Sequence, residues 1–76
     1  MEFIQVIHRF HYEPDDILVV DEYKWININT ITTIGSSGFD NPKSSIWVVS
    51  GNNYYRKEAP YEIVLIVEEL AANDQN

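Results

Sequence analysis

The chain has 76 residues and a formal net charge of −7, from five Lys and Arg against twelve Asp and Glu. This acidic balance argues against a protein that binds a nucleic-acid backbone or an anionic membrane surface, because both require a basic patch. There is no cysteine, which excludes a disulfide, a thiolate metal ligand and a thiol nucleophile.

The composition, 45% hydrophobic and 22% charged, is typical of one small globular domain. The longest apolar run covers residues 63–67, far short of the ~20 residues that a transmembrane helix needs. The first residues are not basic, as those of a secretory signal peptide would be. We therefore expect a cytoplasmic protein.

The first half of the chain predicts a succession of β-strands. Alternating or β-rich apolar residues place these strands at 3–10, 17–20, 23–26 and 28–34. Residues 12–16 contain Pro and two Asp, which favour a turn. A second, hairpin turn is predicted at Asp21 and Glu22, and a kink is predicted near Asn27 or Asn29.

The second half begins with a loop and continues with a hairpin. Residues 35–45 are mostly turn formers and predict a long loop. Strands are predicted over 46–49 and 54–57, joined by a tight turn that contains Gly51.

The last segment predicts a helix that starts at Pro60. Proline suits the first helical turn, and Glu62 lies at its positive end. Apolar residues then recur at helical spacing, at Ile63, Ile66, Val67 and Leu70. Ala59 at the cap position offers no side-chain acceptor. The β-branched residues between 63 and 67 also fit a strand, which is the alternative to the helix.

Together these elements predict an α+β fold that is mainly β. We expect a small antiparallel bent sheet or open barrel of about five strands, with one C-terminal helix packed against it. Residues 1–72 would form this single domain, and residues 73–76 would form a disordered tail.

Apolar side chains occur on more faces than one helix and one sheet can bury. Trp47 and Val49 point away from the other apolar residues of the strand 46–49, and Val64 and Leu65 cannot face the sheet together with the rest of the helix. A homo-oligomer that buries Trp47, Val49, Val64 and Leu65 would account for this, and so would a barrel whose ends fold over both faces. Because so small a domain is marginally stable alone, we favour the homo-oligomer.

No catalytic, metal or cofactor site is predicted. His8 and His11 lie on a strand and point to opposite faces, so metal binding together with Asp15 and Asp16 would need a bend. The carboxylates are scattered, and no serine lies in a nucleophile elbow. We therefore expect a protein that is not an enzyme.

The candidate binding residues lie in the predicted hairpin at 46–57. Tyr54, Tyr55, Arg56 and Lys57 follow one another, and Trp47 lies on the paired strand. Aromatic rings can stack on a base, and an Arg can bind a phosphate or a carboxylate through two parallel hydrogen bonds. These residues could receive an anionic ligand or an acidic segment of another protein. The alternative is cross-strand packing, with the cations in solvent or paired with Glu58 and Glu62.

Four segments also carry a family resemblance: FIQV at 3–6, WININTITTI at 25–34, IWVVSG at 46–51 and YYRKEAPYEI at 54–63. They resemble the small bacterial FlbD/SwrD-like flagellar proteins, which have an early strand, an I-N-x-x-x-I segment, a T-x-I-x-L-x-x-G hairpin and a V-K-E-S-P-E-E-I helix start. This chain is longer at 11–23 and 35–45 and has Ala59 in place of the serine at the start of the helix. The resemblance implies a non-enzymatic accessory protein that acts through protein contacts.

Two functions follow as hypotheses. The first is a small regulatory or adaptor protein, active as a homo-oligomer, that binds another protein through a sheet edge or an aromatic patch. The second is an oligomeric protein of the kind found in phages or mobile elements, which would sequester a small anionic ligand such as a nucleotide signal.

Overall fold

The computed structural model describes residues 2–12 and 18–74. Within these ranges the chain forms a five-stranded antiparallel open sheet followed by one C-terminal helix, which confirms the predicted α+β, mainly β class. The elements are β1 (Phe3–Tyr12), β2 (Leu18–Asn27), a 3-10 helix (Ile28–Thr30), β3 (Ile31–Ser36), β4 (Ser44–Val48), β5 (Asn53–Arg56) and α1 (Pro60–Asp74).

The sheet is strongly curled. Its strand order is β2-β1-β5-β4-β3, so β2 and β3 form opposite edges, although only the residues Ile28–Thr30 separate them in the chain. A 3-10 helix rises about 2 Å per residue, and the strands of a sheet lie about 4.8 Å apart. This link is too short to cross a flat five-stranded sheet, so the two edges come close together at this end.

The prediction of a hairpin turn at Asp21 and Glu22 is wrong. β2 is continuous from Leu18 to Asn27 and pairs with β1 in one unbroken register, in which Arg9 lies opposite Asp21. An Asp-Glu pair lacks the positive-φ preference of a tight hairpin turn, and the ladder with β1 satisfies the backbone here. The turn predicted over 12–16 and the start of the predicted strand at residue 17 lie outside the described residues.

The kink predicted near Asn27 or Asn29 is confirmed. Asn27 caps the 3-10 helix, because its Oδ1 accepts a hydrogen bond from the Asn29 backbone N at 2.9 Å. The Thr30 hydroxyl donates back to the Asn27 carbonyl at 2.7 Å. A bulge between Ile31 and Thr33 then shifts the register of β3 against β4.

The hairpin between β4 and β5 is confirmed, with its turn one residue earlier than predicted. The Gly51 backbone N donates to the Val48 carbonyl at 2.9 Å, and Gly51 has a φ of 91°. Glycine adopts this left-handed conformation without a steric penalty, which suits the last position of a three-residue hairpin loop. The loop before β4 covers 37–43 and is shorter than the predicted 35–45.

One face of the sheet, the inner face, packs against α1. The buried residues of this core are Ile4, Val6, Ile28, Ile46, Val48, Tyr54 and Ile63. Ile46 from the sheet and Ile63 from the helix are both completely buried. The opposite face, the outer face, is not covered by α1; Phe39 of the loop 37–43 lies against Tyr55 there.

The helix predicted from Pro60 is confirmed and continues to Asp74, past the expected domain end at residue 72. Ile66, Val67 and Leu70 turn toward the core, as their spacing predicts. Residues 75 and 76 of the predicted tail lie outside the described part. Of the helices in the described ranges, none has the length and hydropathy required to span a membrane.

The substitution Ala59→Ser should stabilise the protein by about 1 kcal/mol. The Glu62 and Ile63 backbone N atoms both donate to the Ala59 carbonyl, which places Ala59 at the cap of α1. A serine there would form a capping box with Glu62. Urea unfolding measures the gain, and Ala72→Ser, the same change in the last part of α1, is the control. A cap variant no more stable than the control would contradict this assignment of the cap.

Candidate functional site

Exposed aromatic side chains occupy the outer face of the sheet. Side chains directly opposite in antiparallel strands share a face, and the register places Phe3, Tyr23, Trp25 and Trp47 on the side away from α1. All four are exposed, Trp25 by 66% and Trp47 by 43%. We call these four residues the outer aromatic surface.

Trp47 and Tyr54, both predicted as binding residues, lie on opposite faces of the sheet. Trp47 pairs with Asn53 on the outer face. Tyr54 pairs with Ile46 in the core, is only 7% exposed, and contacts His8 edge-to-face at 5.4 Å between ring centroids. Tyr54 is therefore a core residue, and the two aromatics cannot stack on one ligand.

The guanidinium of Arg56 is held by the protein itself. Its Nε and Nη2 donate to the two carboxylate oxygens of Glu58 at 3.0 and 2.5 Å, and its Nη1 donates to the Gln5 carbonyl at 2.7 Å. The hydrogen bonds from Arg56 hold the pKa of Glu58 below its ordinary value. This bidentate pair corresponds to the alternative in which the cation pairs with Glu58, and it leaves Arg56 with little capacity to hold an anionic ligand.

Ser44 and Arg56 together fix the segment between β5 and α1. Ser44 is completely buried, and its hydroxyl donates to the Glu58 carbonyl at 2.5 Å. The backbone of Glu58 is thus attached to β4, while its side chain is attached to β5 through Arg56. These bonds fix the position of the segment 57–59, which leads into the helix.

The sequence analysis did not predict a cluster of side chains around Tyr55. Arg9 forms a bidentate ion pair with Asp21, at 2.8 and 3.1 Å, and its Cζ lies 5.7 Å from the ring centroid of Tyr55 and 6.0 Å from that of Phe39. Hydrogen bonding to Arg9 lowers the pKa of Asp21 below its ordinary value. The register between β1 and β2 is the signal that would have revealed this cluster, and the wrongly predicted turn at Asp21 concealed it.

A groove lies beside β1 and β5, next to their paired residues Ile7 and Tyr55. Its volume is about 260 Å³. Tyr23 and Lys57 also line it. Lys57 is exposed and, among the described residues, forms no ion pair.

The four residues predicted as an oligomer interface do not form one surface. Trp47 lies on the outer face, Val64 and Leu65 are exposed on the helix that covers the inner face, and Val49 lies in the turn after β4. The sheet separates Trp47 from the helix residues, so one two-fold contact cannot bury all four.

The possible metal ligands are only partly described. His8 lies on β1 beside Tyr54. The side chain of His11 and the residues Asp15 and Asp16 are outside the described part of the chain. Within that part, no three His, Asp or Glu side chains form a group that could hold a metal ion.

No protein-family model matches the chain, and no curated protein and no solved structure matches it either. The resemblance to FlbD/SwrD-like proteins therefore stays a prediction, and any functional conclusion depends on the surfaces of the molecule.

The Arg56–Glu58 pair should make stability depend on pH in the acidic range. Since the folded-state pKa of Glu58 lies below its ordinary value of 4.5, the pair contributes stability above pH 4.5 and loses it as the pH falls through the folded-state pKa. Glu58→Gln should be less stable than the original chain by about 1 kcal/mol near neutral pH, because the pair is partly exposed. The two should converge once the pH has fallen below the folded-state pKa of Glu58.

Urea unfolding at several pH values measures this difference. Glu69→Gln, at an exposed position of α1, is the matched control and should run parallel to the original chain over the same range. A difference between Glu58→Gln and the original chain that does not change with pH would contradict the expected role of the ion pair.

Proposed function

We propose that this protein is a non-enzymatic adaptor or regulatory protein of the cytoplasm, which acts as a homo-oligomer and binds another protein through its outer aromatic surface. The observation that carries the proposal is the exposure of Phe3, Tyr23, Trp25 and Trp47 on the face of the sheet that α1 does not cover. Several large aromatic side chains exposed on one face of a sheet are typical of an interaction surface.

The composition of this face fits a protein partner. Trp, Tyr and Arg contribute most to the affinity of protein interfaces, and the outer face holds Trp25, Trp47, Tyr23 and Arg9. The ion pair with Asp21 and the rings of Tyr55 and Phe39 hold Arg9 in one conformation. A side chain that is already ordered loses less conformational entropy on binding.

The strands beneath these side chains also support a binding role. Trp25 lies on the edge strand β2 and Trp47 on β4, so the aromatic residues extend across most of the width of the sheet. Their backbone is fixed by the ladders with β1, β3 and β5. Such a surface presents its side chains without rearrangement, which favours recognition of a folded partner.

The sequestration of a small anion has less support. Arg56 is neutralised by Glu58, and Tyr54 is buried. The groove beside Tyr55 retains one free cation among its described lining residues, Lys57, and at about 260 Å³ it lies below the usual range for ligand pockets. Native mass spectrometry with a panel of nucleotides would reveal such a ligand as a retained adduct.

The double variant Trp25→Thr/Trp47→Thr should abolish binding of the partner protein. Loss of a central Trp weakens a protein complex by at least about 30-fold, and Thr retains the preference for a strand. A photo-crosslinking residue at Phe3 would identify the partner in cells, and titration calorimetry with that purified partner would then measure the affinity of each variant.

The control is Val64→Gln/Leu65→Gln, which changes two exposed apolar residues on α1. This variant should bind the partner as tightly as the original chain. Equal binding by the tryptophan variant, or loss of binding in the helix variant alone, would contradict the proposal and would assign the interaction to α1.

A further inference from the structure

The edge strand β2 has one unpaired side within the described part of the chain. It is ten residues long, contains neither Gly nor Pro, and pairs with β1 along its whole length on its other side. Its central residues 21–25 are all exposed, so no described element buries this stretch. Long uncovered edges present backbone donors and acceptors to another chain, and most proteins protect them.

We propose that β2 pairs with β2 of a second copy of this chain, antiparallel, about a two-fold axis at Tyr23. The inference rests on the homo-oligomer of the proposed function and specifies its interface. In this register Glu22 of each copy lies opposite Lys24 of the other, Asp21 lies opposite Trp25, and the two Tyr23 side chains face each other. The sheets of the two copies become one continuous sheet.

The charges of β2 select this register. A two-fold axis perpendicular to the sheet pairs a residue with its own counterpart at the centre and keeps each side chain on its face. An axis at Glu22 would place the two Glu22 carboxylates directly opposite each other, and an axis at Lys24 would do the same with two ammonium groups. Like charges in directly opposed positions destabilise a strand pair. An axis at Tyr23 instead gives two reciprocal pairs of opposite charge.

The curl of the sheet limits the other registers. An axis at Trp25 would extend the pairing to Ile26 and Asn27, which are half-buried where the two edges of the sheet approach each other. An axis at Asp21 would again oppose two carboxylates. The axis at Tyr23 pairs residues 21–25, the stretch that is exposed throughout.

The two faces of the paired strands would have separate roles. Glu22 lies opposite His8 and Lys24 lies opposite Val6 in the ladder with β1, so the ion pairs form on the side of the inner face. Tyr23 and Trp25 lie on the outer face. The outer aromatic surfaces of the two copies would therefore join into one.

Charge reversal tests the register. Glu22→Lys and Lys24→Glu each replace two attractive pairs by two repulsive ones and should each raise the dimer dissociation constant by at least about tenfold. The double variant Glu22→Lys/Lys24→Glu restores both pairs with exchanged signs and should regain the dimer. Sedimentation equilibrium measures all three constants.

A mixture of the two single variants gives a second readout. Glu22→Lys carries two lysines at the interface and Lys24→Glu carries two glutamates, so the mixed dimer should predominate in native mass spectrometry. Glu69→Lys and Lys43→Glu change the net charge of the chain in the same way at exposed positions outside β2, and they should leave the dimer unchanged.

Cysteine cross-linking tests the position of the axis directly, because the chain has no cysteine of its own. Opposed Cα atoms in an antiparallel pair lie about 4.5 to 5.5 Å apart, within the range that a disulfide spans. Tyr23→Cys should therefore form a covalent dimer on mild oxidation. Tyr61→Cys, at an exposed position of α1, should remain a monomer under the same conditions.

A chain that sediments as a monomer at every concentration would overturn the proposal and would make Lys24 a charge that prevents edge pairing. A dimer whose dissociation constant is the same in both charge-reversal variants as in the original chain would also overturn it. So would a dimer that cross-links through Tyr61→Cys and not through Tyr23→Cys. Loss of the dimer with retained partner binding would leave the outer-surface function intact. A Trp47→Thr variant that still dimerises and still binds the partner as tightly as the original chain would count against that function alone.

Discussion

A single helix can cover only one face of a sheet, and the remaining features of this molecule depend on that limit. Ile63 of α1 and Ile46 of β4 are both completely buried in the same cluster, which places the helix on the inner face. The described chain has no second long helix to bury the outer face, and Trp25 and Trp47 remain exposed there. Exposure of these aromatics follows from a domain that is too small to form two cores.

Arg56 in the hairpin has a structural role that its sequence context does not reveal. Arg56 joins the end of β5 to Glu58 and to the backbone of β1, and the Ser44 hydroxyl holds the Glu58 carbonyl from β4. These bonds link three strands at the point where the chain leaves the sheet and enters α1. The Arg56 guanidinium therefore helps to position the helix. The exposed aromatic residues remain as the candidates for binding.

The sequence predicted correctly those elements that are determined by residues within a few positions of one another. The helix from Pro60 and the hairpin at Gly51 depend on such signals, and both were predicted. The continuity of β2 through Asp21 depends on its partner strand, and the partial burial of both Ile31 and Ile34, three residues apart, depends on a bulge against β4. Neither cause is visible from the segment alone. For the candidate site, alternation correctly separated Tyr54 from Tyr55, but it could not show which of the two faced the helix.

The three-residue 3-10 helix between β2 and β3 also affects how the domain loses structure. Edge strands normally separate from a sheet independently, because each is paired on one side only. Here the two edges are joined by Ile28–Thr30, whose ends are held by the bond from the Ile28 backbone N to the Glu2 carbonyl and by the bond from the Val49 backbone N to the Thr30 carbonyl. Because this link is short, one edge strand cannot be displaced at this end without disturbing the other. We therefore expect the two edges to open together at this end.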